Sequence, residues 1–180
     1  MQREVIIAGF GGQGVLLIGQ LIAYSGMLEG KAVTWLPSYG PEIRGGTCHV
    51  IVIVSDRRIG SPYVTQPAAI IVMNRPSLDK FEDRLNSGGL LLINSSLTDR
   101  LPERKDIRVI AIPATDLAHK LGNSRVANLV MLGGYLGATE VVGLPTMLQA
   151  LQEVFPEDKH HLLPLNKKAL EVGMSYLTEP

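Results

Sequence analysis

Glu4-Val5-Ile6-Ile7-Ala8-Gly9-Phe10-Gly11-Gly12-Gln13-Gly14 passes from a short apolar run into a glycine-rich turn, after which Val15, Leu16, Ile18, Leu21, Ile22 and Met27 recur at helical spacing. Strand, glycine turn and helix in that order open an α/β fold. Downstream, Ala32-Val33-Thr34-Trp35-Leu36 reads as a second strand ended by Pro37. His49-Val50-Ile51-Val52-Ile53-Val54 is the longest β-branched run, and Ser55-Asp56-Arg57-Arg58 reads as a turn into a short strand near Ile59, which makes part of the sheet antiparallel. Ala69-Ile70-Ile71-Val72-Met73, Leu90-Leu91-Leu92-Ile93 and Val109-Ile110-Ala111-Ile112 are further buried strands, and helical patterns cover residues 76–85, 115–121, 125–138, 145–155 and 164–177. Solidly apolar strands alternating with helices predict a three-layer α/β fold. Its sheet is mostly parallel and partly mixed, with helices on both faces, and is Rossmann-like. One domain over residues 1–180 accounts for this length.

Composition narrows the function classes. With 46% hydrophobic and 19% charged residues the chain can bury a core, which excludes wholesale disorder. Seventeen Lys and Arg balance seventeen Asp and Glu, so nothing marks a general nucleic-acid or anionic-membrane binder. The lone cysteine, Cys48, excludes an internal disulfide framework and any cluster or zinc site built from several thiolates of this chain. The acid at Glu4 is out of place in a signal peptide, and the apolar stretch over residues 126–142 is broken by Asn128, glycines and Glu140. The expectation is a cytoplasmic protein with no membrane span.

The motifs leave alternatives open. Gly9-x-Gly11-x-x-Gly14 matches the dinucleotide fingerprint between strand and helix, where glycines admit a phosphate to a helix N-terminus. The acid that holds the ribose at the end of the second strand is missing; Trp35-Leu36-Pro37-Ser38 stands there. The same glycines fit a P-loop spacing, but Val15-Leu16 replaces the lysine and hydroxyl that hold the terminal phosphate and magnesium. The turn is then either a tight strand-to-helix connection or a contact for an anion or partner. Ser38, Tyr39, Glu42, Arg44, Gly45 and Gly46 form a stiff loop expected at the same carboxyl edge of the sheet as Gly11, Gly12, Gln13 and Gly14, with Arg44 as a forked cation for carboxylate or phosphate. Cys48 reads as a small core residue, with His49 pointing to the other face of its strand. His160-His161 lacks a third metal ligand, and no metal site is expected. Gly133, Gly134 and Gly137 weaken an apolar helix by about 1 kcal/mol each. Close packing against another helix, the sheet or a partner chain is the expected compensation.

Gly9-Phe10-Gly11-Gly12-Gln13-Gly14, Ser38-Tyr39-Gly40-Pro41-Glu42-Ile43-Arg44-Gly45-Gly46-Thr47 and Asn123-Ser124-Arg125-Val126-Ala127-Asn128-Leu129-Val130-Met131-Leu132-Gly133 together resemble the gamma subunit of the 2-oxoacid:ferredoxin oxidoreductases. The resemblance runs in order over nearly the whole chain and is nearer the 2-oxoglutarate and branched-chain types than the pyruvate or indolepyruvate types. It implies a non-thiamine-binding subunit of a complex that oxidatively decarboxylates a 2-oxoacid to an acyl-CoA and reduces ferredoxin. Alpha and beta subunits, and in some complexes delta, would be its partners. They would carry thiamine diphosphate, magnesium and iron–sulfur clusters, with coenzyme A as co-substrate. This chain would hold no catalytic residue and no cofactor of its own. It would help close the coenzyme A site and would be inactive and prone to self-association alone. The glycine-bearing helix near Tyr135, or the loops beside it, is then expected to contribute to the exposed apolar face. Two other readings are a free-standing nucleotide- or NAD-binding Rossmann-like enzyme and a non-catalytic regulatory domain.

Overall fold

The opening apolar run becomes β1 (Gln2–Phe10), which lies inside the sheet and not at its rim. The computed structural model describes residues 1–38 and 47–177. α1 (Val15–Leu28) leads to β2 (Ala32–Ser38), and β3 (Thr47–Ser55) returns to β1. β4 (Ala69–Val72), α2 (Arg75–Phe81), β5 (Leu90–Asn94) and β6 (Arg108–Ile112) follow, and α3 (Ala114–Lys120), α4 (Ala127–Thr139), α5 (Leu144–Val154) and α6 (Leu163–Ser175) complete the chain. The strand order is β2-β3-β1-β4-β5-β6. β1, β4, β5 and β6 are parallel neighbours, whereas β3 is antiparallel to both β1 and β2.

The α/β class with a mostly parallel, partly mixed sheet holds, but the antiparallel part is not where the sequence pattern puts it. No strand forms near Ile59; residues 56–68 form a strand-free connection, and the antiparallel element is β3 itself, threaded between β1 and β2. Nor does Pro37 end β2, which runs on to Ser38. β2 is the edge strand, where a residue without an N–H costs no ladder bond on the open side.

Alternation along the strands sorts the core into two layers. Val5, Ile7, Val50, Val52 and Ile71 face a thick layer built from α1, α3, α4, α5 and α6. Ile6, Ala8, Ile51, Ile53, Ile70 and Leu91 face a thinner layer made by α2 and the 56–68 connection. No α-helix joins β5 to β6, only a single 3-10 turn at Ser95–Leu97. Their connection is instead tied to α2 by Arg100, which pairs with Asp79 and Glu82, and by Arg75, which pairs with Asp99 at 2.8 Å.

α4 is apolar on every side because it is packed on every side. Leu129 to Leu136 are all buried, each large aliphatic contributing about 1.5–3 kcal/mol. Its glycines are explained within this chain. A Cβ at Gly133 would run into the carbonyl of Leu170 on α6, one at Gly134 into Ile112 of the sheet, and one at Gly173 of α6 into the carbonyl of Val130. Backbone touches backbone here, so α4 and α6 pack as closely as two helices can. Tyr135 is 1% exposed, so the middle of this helix contributes no open apolar face, whereas the loop after it, with Val142 and Leu144, borders an apolar crevice at the helix end. The large exposed apolar side chains lie elsewhere, including Met27 and Leu28 on α1 and Trp35 on β2.

Candidate functional site at the carboxyl edge

β1 stops at Phe10 and α1 starts at Val15, so four residues must reverse the chain. Gly12 (φ 92°) and Gly14 (φ 73°) do so in the left-handed region. Gly14 caps α1 with no side-chain hydrogen bond, leaving first-turn N–H groups directed at the edge. It is also pressed on Asn128 of α4, whose Nδ2 donates to the Gly14 carbonyl at 3.4 Å.

Gln13 turns back on the turn it belongs to. Its Oε1 accepts from the Phe10 N–H at 2.7 Å and from Asn74 Nδ2 at 2.7 Å. Asn74, 4% exposed, uses Oδ1 to accept from the Ser77 N–H at 3.0 Å and so caps α2. One strand further, Asn94 is fully buried; its Nδ2 donates to Met73 O and to Thr115 Oγ1, at 3.3 and 3.0 Å. A relay of side-chain amides thereby ties the ends of β1, β4 and β5 to the starts of α1, α2, α3 and α4.

The chain leaves β1 toward β2 on one side and leaves β4 toward β5 on the other, so the strand order reverses between them. Open α/β sheets form their ligand crevice at such a point. A crevice of about 200 Å³ does open here, lined by Gly12, Gln13, Asn94, Thr115, Arg125 and Asn128. Arg125 is exposed, and its guanidinium pairs with no acid among the described residues. Helix N-termini and a forked cation give this edge a positive bias suited to an anionic group.

Of the residues singled out in the sequence, Gly11, Gly12, Gln13 and Gly14 form this edge, and Ser38 closes β2 on the same edge. Ser38 pairs with His49, which pairs with Ala8, while Phe10 pairs with Thr47. β2 therefore points the same way as β1, as expected, although antiparallel β3 separates them. Tyr39, Glu42, Arg44, Gly45 and Gly46 lie outside the described residues. The dinucleotide reading loses its frame as well as its acid, since the strand beside β1 on that side is antiparallel β3.

Asn74, Asn94, Thr115 and Arg125 escaped sequence reasoning as contributors to the edge. A signal existed for the first: Asn74-Arg75-Pro76 after an apolar strand is a helix cap followed by proline in the first turn.

The remaining candidates have structural roles. Burial raises the pKa of the Cys48 thiol, and Cys48 packs with the thick layer. His49 faces the other way, with its ring 4.9 Å from that of Phe81. His160 Nε2 lies 3.0 Å from Gln152 O and 2.9 Å from Phe155 O, closing the end of α5. Among the described residues no group of three or more His, Cys, Asp and Glu side chains is placed to hold a metal ion.

His49 yields a pH signature. Burial, then the charges of Lys80 and Arg84, lower its pKa. The unfolded chain then binds the proton more readily than the folded one. The stability is fully present above the unfolded value of about 6.5 and is lost as pH falls below it toward the lower folded value. Urea midpoints between pH 7 and 5 are expected to fall more steeply for the native chain than for His49→Phe. Equal slopes would contradict this assignment.

Comparison with known proteins adds to this geometry. The family model described as pyruvate ferredoxin/flavodoxin oxidoreductase matches residues 4–176. Ketoisovalerate oxidoreductase subunit VorA of Methanothermobacter marburgensis is 38% identical over 175 residues, 96% of this chain but 36% of that protein. The chain thus spans about a third of that relative's length. 2-Oxoglutarate synthase subunit KorC of Methanocaldococcus jannaschii is 34% identical over 173 residues, covering 93% of this chain and 92% of the relative. Among solved structures, the gamma subunit of the keto/oxoacid ferredoxin oxidoreductase from Geobacter sulfurreducens superposes with a TM-score of 0.84 at 30% identity, over 98% of this chain and 99% of that one. A Magnetococcus marinus 2-oxoglutarate:ferredoxin oxidoreductase chain shares the fold, with a TM-score of 0.89 at 21% identity over 98% of this chain and 31% of that one.

Proposed function

This chain belongs to the pyruvate ferredoxin/flavodoxin oxidoreductase family, and from that premise we propose that it is the gamma-type subunit of a multisubunit 2-oxoacid:ferredoxin oxidoreductase. In this reading residues 1–180 are one gamma-type domain. It works in the cytoplasm beside alpha and beta subunits, and delta where present, in a complex that forms an acyl-CoA from a 2-oxoacid, most simply 2-oxoglutarate, and reduces ferredoxin. The observation that carries the reading is the end-to-end correspondence, in both directions, with KorC and with the Geobacter gamma subunit. VorA supports it differently: there a gamma-like stretch is one part of a longer chain.

The residues present here do not fit an iron–sulfur cluster, since the one thiol, Cys48, is half-buried in a strand, nor thiamine diphosphate, since the sequence has no Gly-Asp-Gly with a downstream Asn pair for its diphosphate and magnesium. Those groups would supply decarboxylation and electron transfer from the partner subunits. What this chain contributes is the carboxyl edge. First-turn N–H groups of α1, the Arg125 guanidinium and the Ser38–Gly46 loop with Arg44 would meet a partner subunit or the anionic part of coenzyme A and hold it in place. Without partners, Trp35, Met27 and Leu28, on β2 and the α1 packed against it, are the apolar surface through which the lone subunit would self-associate.

The test compares the purified chain alone with the chain co-expressed with its alpha and beta partners. The lone chain, given 2-oxoglutarate, coenzyme A and thiamine diphosphate, is expected to reduce no viologen, whereas the complex does. Arg44→Ala is expected to weaken assembly or raise the KM for coenzyme A about tenfold, the value of one charge-assisted forked contact, with the lone subunit's unfolding midpoint unchanged. Turnover by the lone chain would sink the subunit reading. Wild-type assembly and KM in the Arg44 variant would remove that residue from the site.

A further inference from the structure

At the edge opposite the glycine turn, a crevice of about 340 Å³ opens between the starts of the parallel strands and the last turns of α4. Arg3 and Arg108 both line it, together with Ser87, Gly88, Tyr135 and Thr139. Side-chain alternation puts Arg3 on the face of Val5 and Ile7, and Arg108 on the face of Ile110 and Ile112, so both arginines stand on the side of the sheet that carries α4. Their strands, β1 and β6, are separated by β4 and β5. Three strand spacings of about 4.8 Å put the two backbones roughly 14 Å apart.

Neither arginine makes an ion pair with an acid among the described residues, whereas Arg75, Arg100 and Arg104 are each committed to one or more. Glu4 borders the crevice, but alternation turns its carboxylate to the opposite face of the sheet, where it accepts from Gln2 Nε2 at 2.7 Å. Two cations with no carboxylate on their face of the crevice leave it positive. The carbonyl end of α4 attracts a cation with about half a charge, which one arginine would answer and two exceed. At the floor, burial raises the pKa of the Tyr135 phenol, and the charge of Arg3 offsets part of that rise. The phenol is therefore a neutral hydroxyl inside the positive field.

We propose that this crevice binds a small molecule bearing two anionic groups, a dicarboxylate or a diphosphate, with Arg3 and Arg108 gripping its two ends. Two guanidiniums with no acid partner, on one crevice, hold two anionic groups more strongly than one, and the forked guanidinium suits carboxylate and phosphate alike. The site lies at the far edge from the glycine turn and does not depend on the functional reading above.

Calorimetry on the full chain without an N-terminal tag tests it, with succinate and pyrophosphate as probes and acetate as the singly charged control. Saturable one-to-one binding of succinate, of pyrophosphate or of both is expected, with acetate much weaker; the probe that binds identifies the source of the anionic groups. Arg3→Gln and Arg108→Gln are each expected to weaken binding about tenfold or more. Lys80→Gln, an exposed cation on α2 across the sheet from the crevice, leaves it unchanged. Circular dichroism confirms folding of each variant, which exposed positions permit. No saturable binding by either probe, equal binding of acetate, or unchanged affinity in both crevice variants would each overturn the proposal.

Discussion

Gly173→Ala is expected to destabilise the chain by about 3 kcal/mol, at the upper end of what overpacking costs. The added methyl would lie against the carbonyl of Val130 and within 2.9 Å of the Gly134 nitrogen. Both are main-chain atoms of α4, held by their own helix, so neither can rotate away as a side chain would. The two helices must move apart, and the whole α4–α6 seam loosens. Gly137→Ala provides the internal contrast. Its Cβ would come no closer than 3.1 Å to Leu177 Cδ1, the far end of a flexible side chain. The gain in helix propensity of about 1 kcal/mol then offsets the crowding, and stability stays at or above that of the native chain. Urea unfolding of both variants decides: a Gly173→Ala chain within about 0.5 kcal/mol of native, the range of an ordinary surface change, would mean that the seam is not tight.

Gln13→Leu is expected to remove about 2 kcal/mol, with more damage to the carboxyl edge than that figure suggests. Two donors, the Phe10 N–H and Asn74 Nδ2, lose one shared acceptor. Asn74 then loses the bond that orients its cap on α2, so the disturbance passes from the first turn to the second helix. Gln13→Glu keeps an acceptor oxygen for both donors and should retain most of the stability. Thermal unfolding ranks the variants, and co-expression with the partner subunits reads the edge: Gln13→Leu assembles less than its stability alone accounts for. Equal midpoints for Gln13→Leu and the native chain would show that the amide relay carries no load.

These two positions mark how far the sequence could be read. The strand, turn and helix of residues 4–28 were legible because apolar spacing and glycines speak directly of local conformation. Gln13 was placed at the edge for the same reason. Strand direction was not legible. A strand buried on both faces is a plain apolar run whether parallel or antiparallel, so Thr47–Ser55 gave no sign that it runs against β1. The helix over Ala127–Thr139 was recognised as buried, but its glycines could not name their partner, because close approach is a property of two segments and periodicity describes one. Asn94 went unread for a like reason. A lone asparagine after an apolar strand gains meaning only when Thr115, twenty-one residues on, folds back onto it.

The antiparallel course of β3 has a bearing on how such a chain can vary. Ser38 and Thr47 both stand at the carboxyl edge, so β2 ends and β3 begins on the same side of the sheet. A parallel crossover would have to span the sheet, and its length would be set by that distance. An antiparallel pair sets no such distance, and the entropy of closing a flexible connection grows by only about 0.6 kcal/mol for each doubling of its length. The registers of β1, β2 and β3 are fixed by strand pairing alone and need no particular length of connection between β2 and β3. The scaffold can therefore be fitted to different neighbours at this edge with little effect on the sheet beneath.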